Sequence, residues 1–114
     1  MTKETRNSIV EELFGAIVDE AMNSKGDAYS GDGDVLSNFK RNAERLGLTP
    51  FQIWHVYCAK HEDTISNAIK DNPEFPHDKT EGLRGRIIDV ITYHALLWCL
   101  LNDPDIQPQQ EQID

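Results

Sequence analysis

One carboxylate in this sequence stands where a carboxylate is costly. Leu83 to Leu101 reads LRGRIIDVITYHALLWCLL, and from Ile87 onward nearly every position is apolar. A helix of these residues has no continuous polar face and must be largely enclosed by other elements. Asp89 lies inside that run. A buried carboxylate costs several kcal/mol unless it has a cation, a set of donors or a metal ion as partner. Arg86 stands one turn before it and Tyr93 one turn after, which makes a polar line along the helix. Two readings follow: an internal Arg86 to Asp89 pair, or Asp89 as the ligand of a metal ion or of a bound molecule's donor groups.

A second concentration of chemistry is Lys60, His61, Glu62 and Asp63. Each taken singly is compatible with a solvated surface residue, and His61 with a neutral ring satisfied by a backbone partner. Taken together with Asp89 on an adjacent helix, they read as an inward carboxylate, cation and imidazole set, the way bundles hold hard cations. Cys58, His61, His94 and Cys99 do not read as a zinc quartet. His94 and Cys99 are five positions apart and point away from one another. Neither cysteine has an activating motif, and no phosphate-binding glycine loop, dinucleotide fingerprint or nucleophile elbow occurs.

Composition narrows the classes further. The 114 residues suit one domain with a core of ordinary size. A net charge of -9 argues against binding a nucleic-acid backbone and is compatible with collecting divalent cations. Cys58 and Cys99 both fall in apolar helical contexts and read as free buried thiols, which points to a reducing, cytoplasmic setting. The apolar run falls short of the roughly 20 residues that span a bilayer. Met1 to Asn7 is polar, so no signal peptide is expected.

Four helices are expected to position these groups. Residues 5 to 23 place Ile9, Val10, Leu13, Phe14, Ile17, Val18 and Ala21 on one face and Glu11, Glu12, Asp19 and Glu20 on the other, a helix laid over a core. Gly15 within it suggests a close helix contact. Residues 24 to 34, SKGDAYSGDGD, form a loop. Asp32 and Asp34 resemble the start of a calcium loop, but Ala43 stands where its closing glutamate belongs, so Asp34 reads instead as the cap of the next helix. That helix, Val35 to Leu46, carries Leu36, Phe39, Ala43 and Leu46 on one stripe and ends at Gly47. Asn38 near its start is poorly suited to a helix and should bond something specific. Thr49, Pro50 and Gln52 form a capping box for a third helix reaching about Lys70, with Phe51, Trp54, Cys58, His61, Ile65 and Ala68 along its seam. Asp71 to Lys79 is a proline-bearing connection, and Thr80 caps the fourth helix.

The expected architecture is therefore all-α: a compact four-helix domain over residues 1–103, with a short second helix and a mobile C-terminal tail over 104–114. The two long apolar helices form its centre. Trp54, Trp98 and Tyr93 near helix surfaces point to a homo-oligomer.

The succession Tyr29-x-x-Asp32, Asn38-Phe39, Lys60-His61-x-Asp63-x-Ile65 and Asp89-x-x-x-Tyr93-x-x-Leu96-Leu97 resembles small phage and prophage proteins related to the all-α nucleoside triphosphate pyrophosphohydrolases. These include the MazG-like enzymes and the phage nucleotide modification associated domain group. The resemblance covers roughly residues 29 to 101. In those enzymes magnesium is held by a Glu-x-x-Glu pair on one core helix and a Glu-x-x-Asp pair on the next. Asp89 matches the last of these acids, whereas Arg86 stands where its partner Glu would be, and Ile65 and Ser66 replace the second acid after Glu62 and Asp63.

The resemblance implies a phage-type nucleotide-binding domain between the second, third and fourth helices. Asp89, Glu62 and Asp63 would hold Mg2+ and carry any hydrolysis of a phosphoanhydride. Lys60, His61, Asn38, Tyr93, Tyr29 and Arg86 would contact the nucleotide. The incomplete acid set favours sequestering over cleaving. An acidic phage protein that binds and inhibits a host protein, steered by its negative surface, is the alternative from another class.

Overall fold

The computed structural model describes residues 1–19, 22, 33–77, 82–106 and 108. Among them the chain forms four α-helices: α1 (Lys3–Ala16), α2 (Ser37–Leu46), α3 (Pro50–Asp71) and α4 (Leu83–Asn102), followed by a 3-10 turn at Pro104–Ile106. This is the all-α, four-helix architecture expected, with a short second helix. The two long helices α3 and α4 pack most extensively on one another, and α2 lies on α3.

Local sequence explains the helix ends. The Thr49 hydroxyl accepts from Gln52 N at 3.2 Å while the Gln52 side chain accepts from Thr49 N at 2.8 Å, the reciprocal capping box that starts α3. Gly47 ends α2 at φ 68°, where a Cβ would be strained. Asp34 acts one step earlier than expected. Its Oδ1 accepts from Leu36 N at 2.9 Å and closes the turn that leads into α2, whose own cap position, Leu36, has no side-chain cap. Helix α4 begins after Gly82, at φ 83°; Thr80 lies outside the described residues.

The core is small and aromatic-rimmed. Leu36, Phe39, Ala43, Ile53 and Leu100 are buried together, with Phe51, Trp54, Tyr57, Tyr93, Leu96 and Ile106 packed around them. Phe39 and Ala43 share one face of α2, and Tyr93, Leu96 and Leu100 share one face of α4, so helical spacing brings each set to the centre. The 3-10 turn after α4 joins this core through Ile106. Lys40 anchors it: its ammonium lies 2.8 Å from Asp103 and 3.3 Å from Asp105, and it also pairs with Asp34. Three acidic side chains thus converge on one ammonium, tying the turn before α2 to the turn after α4.

Three expectations are corrected here. The first helix starts at Lys3 and is α-helical to Ala16, with 17–19 and 22 in π-helical turns and 20, 21 and 23 outside the described residues; against the expectation of a helix laid over a core, no residue of Lys3–Ala16 is buried. Ile9, Val10, Phe14 and Val18 are exposed, and Ile17, just beyond the helix, is the buried member of the row. Gly15 marks no close contact, since a Cβ there would meet nothing within 4 Å. The fourth helix is less enclosed than its composition suggests: Leu100 is fully buried, but Ile87, Trp98, Cys99 and Leu101 are exposed. Among the described residues no helix is long and apolar enough to cross a membrane.

Truncating Leu100 to Ala should cost about 2–5 kcal/mol in denaturant unfolding, because the cavity opens in the middle of the core. The Lys40 cluster predicts a pH dependence. Hydrogen bonds from Lys40 hold Asp34 and Asp103 below the ordinary 3.8. Their contribution is complete above that value and is lost as pH falls through the lowered folded-state values. The stability gap between wild type and Lys40→Met, measured by urea titration, should therefore close at the acid end and stay open at neutral pH.

Candidate functional site

One hydrogen bond marks the register of α3 against α4. The indole Nε1 of Trp54 donates to the main-chain carbonyl of Tyr93. His61 lies two turns beyond Trp54, and Asp89 and Arg86 lie one and two turns before Tyr93. On antiparallel helices these positions meet. His61 Nδ1 is 3.3 Å from Arg86 Nη1 and 3.6 Å from Asp89 Oδ2, and the Tyr93 ring lies 5.3 Å from the imidazole, tilted by 37°. The side chains of His61 and Asp89 are 18% and 16% exposed.

Charge decides the roles within this set. A guanidinium has only donors, so where Arg86 meets His61 the Nδ1 atom accepts and the neutral ring carries its proton on Nε2. Asp89, at 3.6 Å, is beyond hydrogen-bond range of that nitrogen and pairs with the ring as an ion only when the ring is protonated. A fixed cation, a carboxylate and an imidazole are thus grouped in a half-buried place between two helices. Such a group can hold a phosphate through Arg86 while Asp89 accepts from a hydroxyl or amine.

A line of rings links this set to α2. Tyr93 meets the edge of Phe39 at 6.4 Å and 80°, and Phe39 meets Tyr57 at 6.1 Å. The Tyr57 hydroxyl accepts from Asn42 Nδ2 at 3.0 Å, and the same amide donates to the Asn38 side chain and main-chain oxygens, both at 2.9 Å. Asn38 therefore does bond something specific, one helical turn along. Asn42 and Tyr57 were not picked out from the sequence. Their signal was there: an Asn four residues after Asn38, and a Tyr four residues after Ile53.

The magnesium set expected from the resemblance is not assembled. Asp89 lies with His61, but Glu62 Oε1 accepts from Cys58 Sγ at 3.3 Å and Asp63 is exposed. Among the described residues, ligand atoms converge in two other groups, Cys58 with Glu62 and His94, and Asp34 with Asp103 and Asp105. The physical reason is helical geometry: adjacent residues such as 61, 62 and 63 leave a helix about 100° apart and cannot all face one neighbour. Lys60 is exposed on α3, and Tyr29 and Asp32 lie outside the described residues. Comparison of the chain with protein-family models, with curated proteins and with solved structures finds no match.

The two cysteines are also unlike one another. Cys58 is 1% exposed, and burial together with Glu62 pushes its thiol up to about 12, whereas Cys99 is exposed, against the expectation of two buried thiols. Brief alkylation of the folded protein at neutral pH should label Cys99 and spare Cys58, as read by peptide mass mapping. Equal labelling of both would contradict this arrangement.

Proposed function

We propose that this protein binds a nucleotide or nucleotide-like small molecule along the polar and aromatic line shared by α2, α3 and α4. The observation that carries the proposal is the meeting of Arg86, His61 and Asp89 from two helices beside the Tyr93 ring. Each component answers one part of a nucleotide. A guanidinium pairs with phosphate oxygens in a fork, a carboxylate accepts from sugar or base donors, and aromatic faces stack with a base. The resemblance of the Asn38-Phe39, Lys60-His61 and Asp89-x-x-x-Tyr93 segments to the all-α pyrophosphohydrolases supports the same reading.

Sequestering fits this arrangement better than hydrolysis. With Glu62 turned toward Cys58 and Asp63 outward, the three expected acids do not converge, and a magnesium ion would arrive largely on the nucleotide's own phosphates. A screen of ribo- and deoxyribonucleoside triphosphates and cyclic nucleotides, with and without Mg2+, reads this directly as thermal stabilisation. At a hundredfold excess over Kd the protein should gain about 2.7 kcal/mol. Arg86→Ala and Asp89→Asn should each remove most of that gain. Absence of stabilisation by every nucleotide would overturn the proposal, and release of pyrophosphate would convert it to the enzymatic version.

A second reading rests on α1. Its exposed residues Ile9, Val10 and Phe14, with Val18 just beyond it, adjoin Glu11 and Glu12 on a chain of net charge -9. Such a surface suits a protein partner, either a basic host protein or a second copy of this chain. Light scattering on the purified chain distinguishes the two, a homo-oligomer giving a multiple of 13.0 kDa. One stoichiometric host protein in a pull-down, with no nucleotide stabilisation, would favour this reading over the first.

A further inference from the structure

Cys58 and Glu62 of α3 and His94 of α4 bring a sulfur, a carboxylate oxygen and an imidazole nitrogen within 4.8 Å of one another. We infer that these three side chains form a binding site for a zinc-like divalent metal ion, distinct from the nucleotide line through His61. Four features of the arrangement support it.

The first is donor chemistry. Thiolate, imidazole and carboxylate are the ligands of zinc and of the neighbouring divalent transition metals, whereas magnesium and calcium take oxygen almost exclusively. The Glu62 that would serve magnesium in a set of acids stands here beside sulfur and nitrogen.

The second is geometry. Ligands about 2.0–2.3 Å from a tetrahedral zinc stand about 3.5 Å from one another. The Cys58 to Glu62 separation is already 3.3 Å. Glu62 and His94 are both exposed, so their side chains can close the remaining gap without disturbing the core, while the buried Cys58 fixes the floor of the site.

The third is the orientation of the histidine. His94 Nδ1 lies 2.8 Å from the Val90 carbonyl, four residues back on the same helix. A carbonyl only accepts, so Nδ1 carries the proton and Nε2 keeps its lone pair for a metal. This is the outer hydrogen bond that ligating histidines characteristically make. The Trp54 ring stands edge-on to the imidazole at 5.3 Å and 90°.

The fourth is the contact between Cys58 and Glu62. The Cys58 thiol donates to Glu62 Oε1 at 3.3 Å, which places its proton between two of the three ligand atoms. Binding of a divalent ion would break the S–H bond and release that proton to solvent, leaving sulfur and carboxylate to the metal.

The quartet weighed from the sequence contained Cys99 and His61, and neither belongs to this group. Cys99 is exposed, and His61 lies with Arg86 and Asp89. The other convergent acids, Asp34, Asp103 and Asp105, are already gathered on Lys40 and offer no comparable site.

The test uses the full chain, stripped of metal, titrated with Zn2+ by calorimetry and with Co2+ by absorption. The expected result is one ion per chain, a sulfur-to-cobalt charge-transfer band in the near ultraviolet, and no displacement by millimolar Mg2+. Cys58→Ser should abolish the charge-transfer band. His94→Ala and Glu62→Gln, both at exposed positions that leave the fold intact by circular dichroism, should weaken Zn2+ binding at least about tenfold. Cys99→Ser should change nothing. No binding of Zn2+, a band that depends on Cys99 instead of Cys58, or affinities unmoved by His94→Ala and Glu62→Gln would overturn the inference. Because Arg86→Ala removes the nucleotide line and spares these three ligands, unchanged Zn2+ binding by that variant separates this site from the first.

Discussion

The hydrogen bond from the Trp54 indole to the Tyr93 carbonyl ties a side chain of α3 to one level of α4, and much of the remaining arrangement depends on that level. Helices rise 1.5 Å per residue, so once one pair of positions is matched on two antiparallel helices, every other pair along the seam follows. His61 then lies opposite Asp89 and Arg86, and the side chains of Cys58, Glu62 and His94 reach to within 4.8 Å of one another across the same seam. A slip of one turn would part both groups. The same bond gives a large half-buried indole a partner for its N–H, which would otherwise be desolvated at a cost of about 1–3 kcal/mol.

The second constraint is electrostatic and holds α2 in place. Lys40 gathers Asp34, Asp103 and Asp105, and so brings together the turn before α2 and the turn after α4. With Phe39 and Ala43 already buried, this ion cluster defines which side of α2 faces the core and therefore where Asn38 and Asn42 stand. The asparagines reach Tyr57 across the α2 to α3 contact, and the ring contacts from Tyr57 through Phe39 and Tyr93 to His61 complete a continuous surface of polar edges and aromatic faces.

Exposed apolar residues are unevenly distributed over the described helices. Around α2, α3 and α4 the aromatic residues are packed or half-packed, whereas Phe14 and its neighbours on α1 and Trp98 on α4 face outward.

Much of the fold could be read from the chain because it is written in short-range terms. The capping box at Thr49 and Gln52, the left-handed glycine at position 47 and the helical spacing of Phe39 with Ala43 act within one or two turns. So does the reading that Asp89 needs company, since it follows from one charged residue in an apolar run. What company it keeps could not be read that way. The separation of Glu62 and Asp63 from Asp89, the meeting of Cys58 with His94 and the exposure of Cys99 and α1 depend on the rotation and level of one helix against another. Periodicity tells which residues share a face of one helix. It does not tell at what height or angle two faces meet, and that is settled by long-range contacts such as Trp54 with Tyr93, between residues far apart along the chain.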